Sequence, residues 1–237
     1  PAWLSLVRRS RRLSLIRFDS GQRRPLSRLL LQDGHHRGGP FGAPALWGGD
    51  QGYAVALTTL DQVLFARLDR LGAPRGPARQ VVLRRGGFID PVCSVIARDG
   101  WRFYVLTLGL RSGREPTATL VGFDEAGRYA GPAAELRFPV HVGRDCAVHL
   151  VPTRRHLAVV ALARAERGRR ARDVMLAEYK RDGRLAARPI KLATASRLAG
   201  VVRVPKGFLV AWRAPAAVEL QTDRSPAPVV AAPVSCH

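Results

Sequence analysis

Arginine is the side chain through which this sequence could most readily do chemistry. It gathers at Arg8, Arg9, Arg11 and Arg12, at Arg84 and Arg85, and at Arg167, Arg169, Arg170 and Arg172. A guanidinium offers five donors in a planar fork that matches phosphate and carboxylate, so groups of this kind are expected to hold polyanions. The chain has 39 basic against 18 acidic residues, a formal net charge of +21, which attracts polyanions at low salt. Only Lys180, Lys191 and Lys206 are lysines. That skew, with abundant Ala, Gly and Pro, fits GC-rich coding DNA, so solvated, composition-driven arginine is the competing account. Basic residues exceed acidic ones by similar margins on both prospective loop faces. Aromatic residues do not interleave with the arginines as single-strand binding would favour.

Other chemistries find less support. His35 and His36 lie in a glycine-rich loop, His141 and His149 flank Cys146, and Cys236-His237 closes the chain. None has the paired spacing that brings ligands onto one ion, so no metal and no cofactor is expected. There is no phosphate-binding glycine loop and no serine in a nucleophile elbow. Three cysteines do not make a disulfide scaffold in a chain of 237 residues. No stretch approaches the roughly 20 apolar residues that cross a bilayer, so no membrane span is expected. The chain begins at Pro1 rather than methionine, from which an initiator, a leader or a longer N-terminal region is expected to have preceded it.

The elements that must carry these residues repeat. Phe18, Leu68, Phe123, Tyr179 and Thr222 fall in register at intervals of roughly 50 residues, a spacing that signals a repeat architecture. Each precedes a tight turn, as in Asp69-Arg70-Leu71-Gly72, Asp124-Glu125-Ala126-Gly127 and Asp182-Gly183. Alternation such as Val63, Phe65 and Arg67 against Leu64, Ala66 and Leu68 reads as strand. The second unit divides into strands near Pro44–Gly48, Tyr53–Thr59, Val63–Leu68 and Arg79–Arg84. The last runs Gly200–Val204, Phe208–Trp212, Val218–Gln221 and Val229–Val234, and the first shows only three strands. Four-strand units at this spacing predict an all-β chain, a β-propeller of about five four-stranded blades with the N-terminal blade incomplete. The blades cover about 1–33, 42–86, 88–139, 142–193 and 198–234 of a single domain. Val229–Val234 or upstream sequence would close the ring. A single helical turn is conceivable over Arg164–Arg172. Cys93 and Cys146 would then lie on adjacent innermost strands, where a disulfide is conceivable and buried free thiols are the commoner outcome.

Stretches such as Gly52–Leu57 followed by Val63–Asp69 resemble the degenerate repeats of bacterial, often exported, β-propeller proteins, which implies a periplasmic or extracellular setting. A second, weaker resemblance rests on Phe88-Ile89-Asp90-Pro91, followed by Asp99-Gly100 and Phe103–Thr107. It is similar to the blade opening of five-bladed propeller glycosidases, and it implies an axial carboxylate at Asp90. Asp145, at the same stage of the next unit, is the candidate second carboxylate of the pair that glycoside cleavage needs. Against that stands Asp90 as a turn cap before proline, with no glutamate in the expected context. The reading taken forward is a non-enzymatic binding or scaffold module for a protein or carbohydrate ligand, with affinity for polyanions. A propeller glycoside hydrolase using Asp90 is the alternative.

Overall fold

The computed structural model describes residues 2–9, 12–19, 25–32, 42–59, 62–83, 89–111, 115–137, 147–163, 172–204, 207–213 and 229–235. Those residues form five antiparallel sheets in which every strand pairs with its neighbour in sequence. The first holds β1 (Ala2–Arg9), β2 (Arg12–Asp19) and β3 (Pro25–Gln32). The second is β4 (Ala45–Gly49), β5 (Gly52–Thr58), β6 (Gln62–Leu68) and β7 (Arg79–Val82), and the third is β8 (Ile89–Asp99), β9 (Arg102–Arg111), β10 (Glu115–Phe123) and β11 (Tyr129–Leu136). The fourth comprises β12 (Val148–Pro152), β13 (Leu157–Leu162), β14 (Arg172–Tyr179) and β15 (Ile190–Ala195), and the fifth β16 (Arg197–Val204), β17 (Gly207–Arg213) and β18 (Val229–Ser235). The chain is all-β and propeller-like in its arrangement of sheets. Among the described residues no helix is long and apolar enough to cross a membrane.

Period-two alternation explains why the sheets stack. Along β9, Phe103 and Val105 join a core shared with the second sheet, while Tyr104, Leu106 and Leu108 join one shared with the fourth. Along β13, Leu157, Val159 and Ala161 face the third sheet, and Ala158, Val160 and Leu162 the fifth. Both faces of these strands are apolar, so each sheet must be covered on both sides. First strands meet one another, with β8 packed against both β4 and β12. Ala43 bridges in parallel to β8, its N–H donating to the Val92 carbonyl at 2.7 Å and its carbonyl accepting from Ser94 at 3.1 Å.

The repeated turns are built alike. In 69–73, the Asp69 carboxylate accepts from the N–H groups of Leu71 and Ala73, both at 2.8 Å. In 124–128, Asp124 accepts from Arg128 at 2.7 Å. Gly72, Gly127 and Gly183 each take a left-handed φ of about 80°, which a side chain would oppose. In the third copy the leading position is Lys180, and the carboxylate that caps the turn is Asp182, which accepts from the Arg184 N–H at 2.9 Å.

Several expectations change. Strand β18 pairs directly with β17, Phe208 opposite Val234 and Val210 opposite Ala232, so the tail takes the third place of its own sheet. It neither forms a fourth strand nor joins the opening sheet among the described residues. Val218–Gln221 lies outside the described residues, and β16 pairs with the other side of β17. Asp90 lies in β8 opposite Leu110 rather than at a turn cap. Pro91 is accommodated because β8 ends its sheet and bulges between Pro91 and Cys93, where no ladder donor is needed. Cys93 is disulfide-bonded rather than a free thiol. Cys146 and Cys236 lie outside the described residues, as does the proposed helical turn before Arg172.

Polar groups inside the stack are handled in two ways. Thr58, Ser94 and Thr107 are buried together, with Thr58 Oγ1 2.8 Å from Ser94 Oγ and 2.9 Å from Thr107 Oγ1. Tyr179 donates to the Arg137 carbonyl at 3.0 Å, and burial pushes its hydroxyl up to about 12. Arg67 is different. It is 4% exposed, its three guanidinium nitrogens have no acceptor, and its charge lies 4.4 Å from the centroid of the Phe103 ring. Burial above all, then Arg98 and Arg75, holds Arg67 below the ordinary guanidinium range, with Glu125 opposing.

Two substitutions test this packing. Replacing an unpartnered buried charge by an apolar group of similar length removes a desolvation cost that the ring contact offsets only in part. Arg67→Met is therefore expected to raise stability by about 1–3 kcal/mol, read from the urea midpoint, and a loss of stability would contradict the account. A Cβ on Gly122 would stand 1.7 Å from the Gly131 carbonyl oxygen, whereas one on Gly200 meets nothing within 4 Å. Gly122→Ala is expected to cost roughly 3 kcal/mol and Gly200→Ala less than about 1 kcal/mol in the same assay.

Candidate functional site

The third and fourth sheets part at their turn ends to leave a cleft of about 520 Å³, lined by Arg102, Ala130, Gly131, Pro132, Lys180, Arg181 and Asp182. Three segments supply it: the β8–β9 hairpin, the start of β11 and the turn after β14. The turn is seated on β11 because Gly183 has no side chain, a Cβ there falling 2.4 Å from the Ala134 methyl. Lys180 occupies the place that the sister turns give to Asp69 and Asp124, so its ammonium stands exposed where those copies hold a capping carboxylate.

Arg181 fixes the width of the cleft. Its Nε donates to Asp99 Oδ2 at 2.6 Å, and its terminal nitrogens donate to the carbonyls of Arg155 at 2.8 Å, Arg154 at 3.3 Å and Thr153 at 3.4 Å. One side chain thus ties the turn to the β8–β9 hairpin and to the β12–β13 hairpin, with most of its donors used. Arg102 is not used up in this way. Its guanidinium lies 4.8 Å from the centroid of Trp101, which is 59% exposed, and its Nε is buried with no acceptor. Asp182 is held well below the usual carboxylate range, chiefly by the side-chain hydrogen bond from Arg184 at 2.7 Å and then by the Arg184 N–H. The cleft therefore offers two cations without a carboxylate partner among the described residues, an ionised carboxylate and an apolar wall, and the exposed indole of Trp101 adjoins it through Arg102.

The residues singled out from sequence lie elsewhere. Asp90 is on β8, an edge strand of the third sheet, and Asp145 is outside the described residues. Arg8 and Arg9 stand at the β1–β2 hairpin, opposite Leu13 and Arg12. Arg11, Arg84, Arg85, Arg167, Arg169 and Arg170 fall outside the described residues. Arg172 opens β14 opposite Ala195, half-buried, with its Nε lacking an acceptor. Among the described residues no three ligating side chains gather, and His149 on β12 is held below the ordinary imidazole range by burial alone. Sequence reasoning missed the cleft. The available signal was Lys180 in register with two aspartates.

No family model matches the chain, and no curated protein sequence does either. Solved structures are similar at low identity. An apocarotenoid oxygenase of Synechocystis shares 10% identity at a TM-score of 0.53, over 98% of this chain and 59% of that one. A thermostable family-43 glycoside hydrolase shares 12% at 0.46, over 76% and 66%. An α-L-arabinofuranosidase from Clostridium thermocellum shares 11% at 0.47, over 80% and 72%. The chain thus spans about three fifths of the oxygenase and 66% of the family-43 enzyme. What it shares with the oxygenase at this identity is the fold and not an activity.

Proposed function

We propose that residues 1–237 form one propeller domain of five blades, within about 1–33, 42–86, 88–139, 142–193 and 198–234, that binds an anionic ligand without transforming it. The observation that carries this reading is the pair of cations at the cleft. Lys180 forms no ion pair among the described residues, and Arg102 keeps a buried donor with no protein acceptor. Both side chains line the cleft, and neither is neutralised there by a protein carboxylate among the described residues, which favours an anionic ligand that pairs with the two together. Arg8, Arg9 and Arg12, with Arg172 and the clusters at Arg11, Arg84, Arg85, Arg167, Arg169 and Arg170, add long-range attraction for the same class of ligand. The disulfide at Cys93 fits an oxidising, exported setting.

Retention on immobilised heparin tests this. The protein is expected to stay bound above about 0.15 M salt. Lys180→Ala with Arg102→Ala should elute well before the wild type, and Arg79→Ala with Arg197→Ala, which removes equal charge away from the cleft, should shift elution less than half as far. Absence of retention at low salt would remove the reading.

A second reading has one observation in its favour, the position of Asp90 on the edge strand β8, which packs against β4 and β12. A carboxylate near the axis of a propeller could serve glycoside hydrolysis if a partner carboxylate lay about 5–10 Å away. Under that reading, aryl glycosides are cleaved and Asp90→Asn lowers the rate at least about a thousandfold without changing the melting temperature. Undiminished cleavage by the Asn variant would exclude Asp90.

A further inference from the structure

The mixed chemistry of the cleft narrows the ligand, on the reading that the cleft holds an anion. We infer that it takes an acidic sugar, the end or a short run of a carboxylate-bearing saccharide, rather than a phosphodiester chain. A phosphodiester linkage presents acceptors and negative charge only, the donors of such a chain lying on its bases and terminal hydroxyls. Asp182, which lines the cleft, has nothing to accept from it and repels it. A sugar hydroxyl can donate to Asp182, whose two oxygens have lone pairs beyond those used by the Arg184 N–H and guanidinium. The sugar carboxylate meets the Lys180 ammonium and the Arg102 guanidinium, both of which line the cleft.

The remaining surfaces suit the rest of a pyranose. Trp101 adjoins the cleft, with the Arg102 guanidinium over its ring 4.8 Å from the centroid, and being 59% exposed it keeps indole surface against which the C–H face of a sugar ring can pack. Ala130 and Pro132 give the cleft an apolar side. At about 520 Å³ it falls within the range of small-ligand sites, large enough for a short saccharide. Nucleic-acid strands are held by successive aromatic platforms along a basic groove, whereas the platform here is one indole next to a carboxylate.

Asp182 gives the test its sign. At a bare cation patch, Asp182→Asn removes a repelling charge and tightens every anion; at a saccharide site it removes the acceptor of a hydroxyl and weakens the sugar. Asn keeps an oxygen for the Arg184 N–H, so the turn is retained. Calorimetry at about 0.15 M salt would compare trigalacturonate, a neutral trisaccharide and a short oligothymidylate on the wild type, Asp182→Asn and Trp101→Ala. Trigalacturonate should bind at least about tenfold tighter than either other probe, and each substitution should weaken it about tenfold. In Asp182→Asn, oligothymidylate binding should strengthen. If Asp182→Asn tightens trigalacturonate as well, or if oligothymidylate equals it on the wild type, the inference fails, while heparin retention leaves anion binding itself standing. Loss of heparin retention would remove both together.

Discussion

Strands with no polar face govern this structure. β5, β9 and β13 are buried almost end to end, and successive side chains leave opposite sides of a sheet. A sheet with such a central strand cannot face water on either side, so it must lie between two others. Repeating the requirement from the second to the fifth sheet produces three apolar seams in sequence. The outer strands escape it: β7, β11 and β15 carry exposed residues such as Val82, Tyr129 and Ile190. The turn glycines and inner bridges follow from the same demand, since they bring each hairpin round within a few residues so that the next sheet can lie flat on the last.

That stacking leaves little room for polar groups, and the interior shows both outcomes. Thr58, Ser94 and Thr107 satisfy one another across two sheets. Arg67 has no acceptor and rests on an aromatic ring. Toward the turn ends the seams open, and there the charged groups find partners in Asp99, Glu125 and backbone carbonyls. The cleft lies at such an opening. Arg181 spends its donors on tying the hairpins together, whereas Arg102 and Lys180 form no ion pair among the described residues.

Much of this was legible from residue pattern. Alternation marked the strands of the second to fourth units to within a few residues, because strands buried on both sides leave long apolar runs bounded by Asp and Gly. In the last sheet three strands were legible, but the place of the tail beside β17 was not. Val218–Gln221 and Val229–Val234 are both strand-like runs, and only pairing with β17 distinguishes them, which is a property of distant partners rather than of either segment. Asp90 before Pro91 carries a local turn signal that an edge strand with a bulge overrides. The bonding of Cys93 depends on which inner strands meet, and the cleft joins Arg102, Pro132 and Lys180 from three hairpins, none of them informative alone.

Among the described residues every strand pairs with the one before or after it in sequence, and each of the three seams joins consecutive sheets. The separations along the chain of residues in contact are therefore short for an all-β protein, and loop closure is inexpensive at each step. A sheet completed as the chain leaves the ribosome finds its first covering face already built, and it waits only for the next to cover its second. Assembly can run from one end as a zipper, with the most recently formed sheet always the exposed and least stable one.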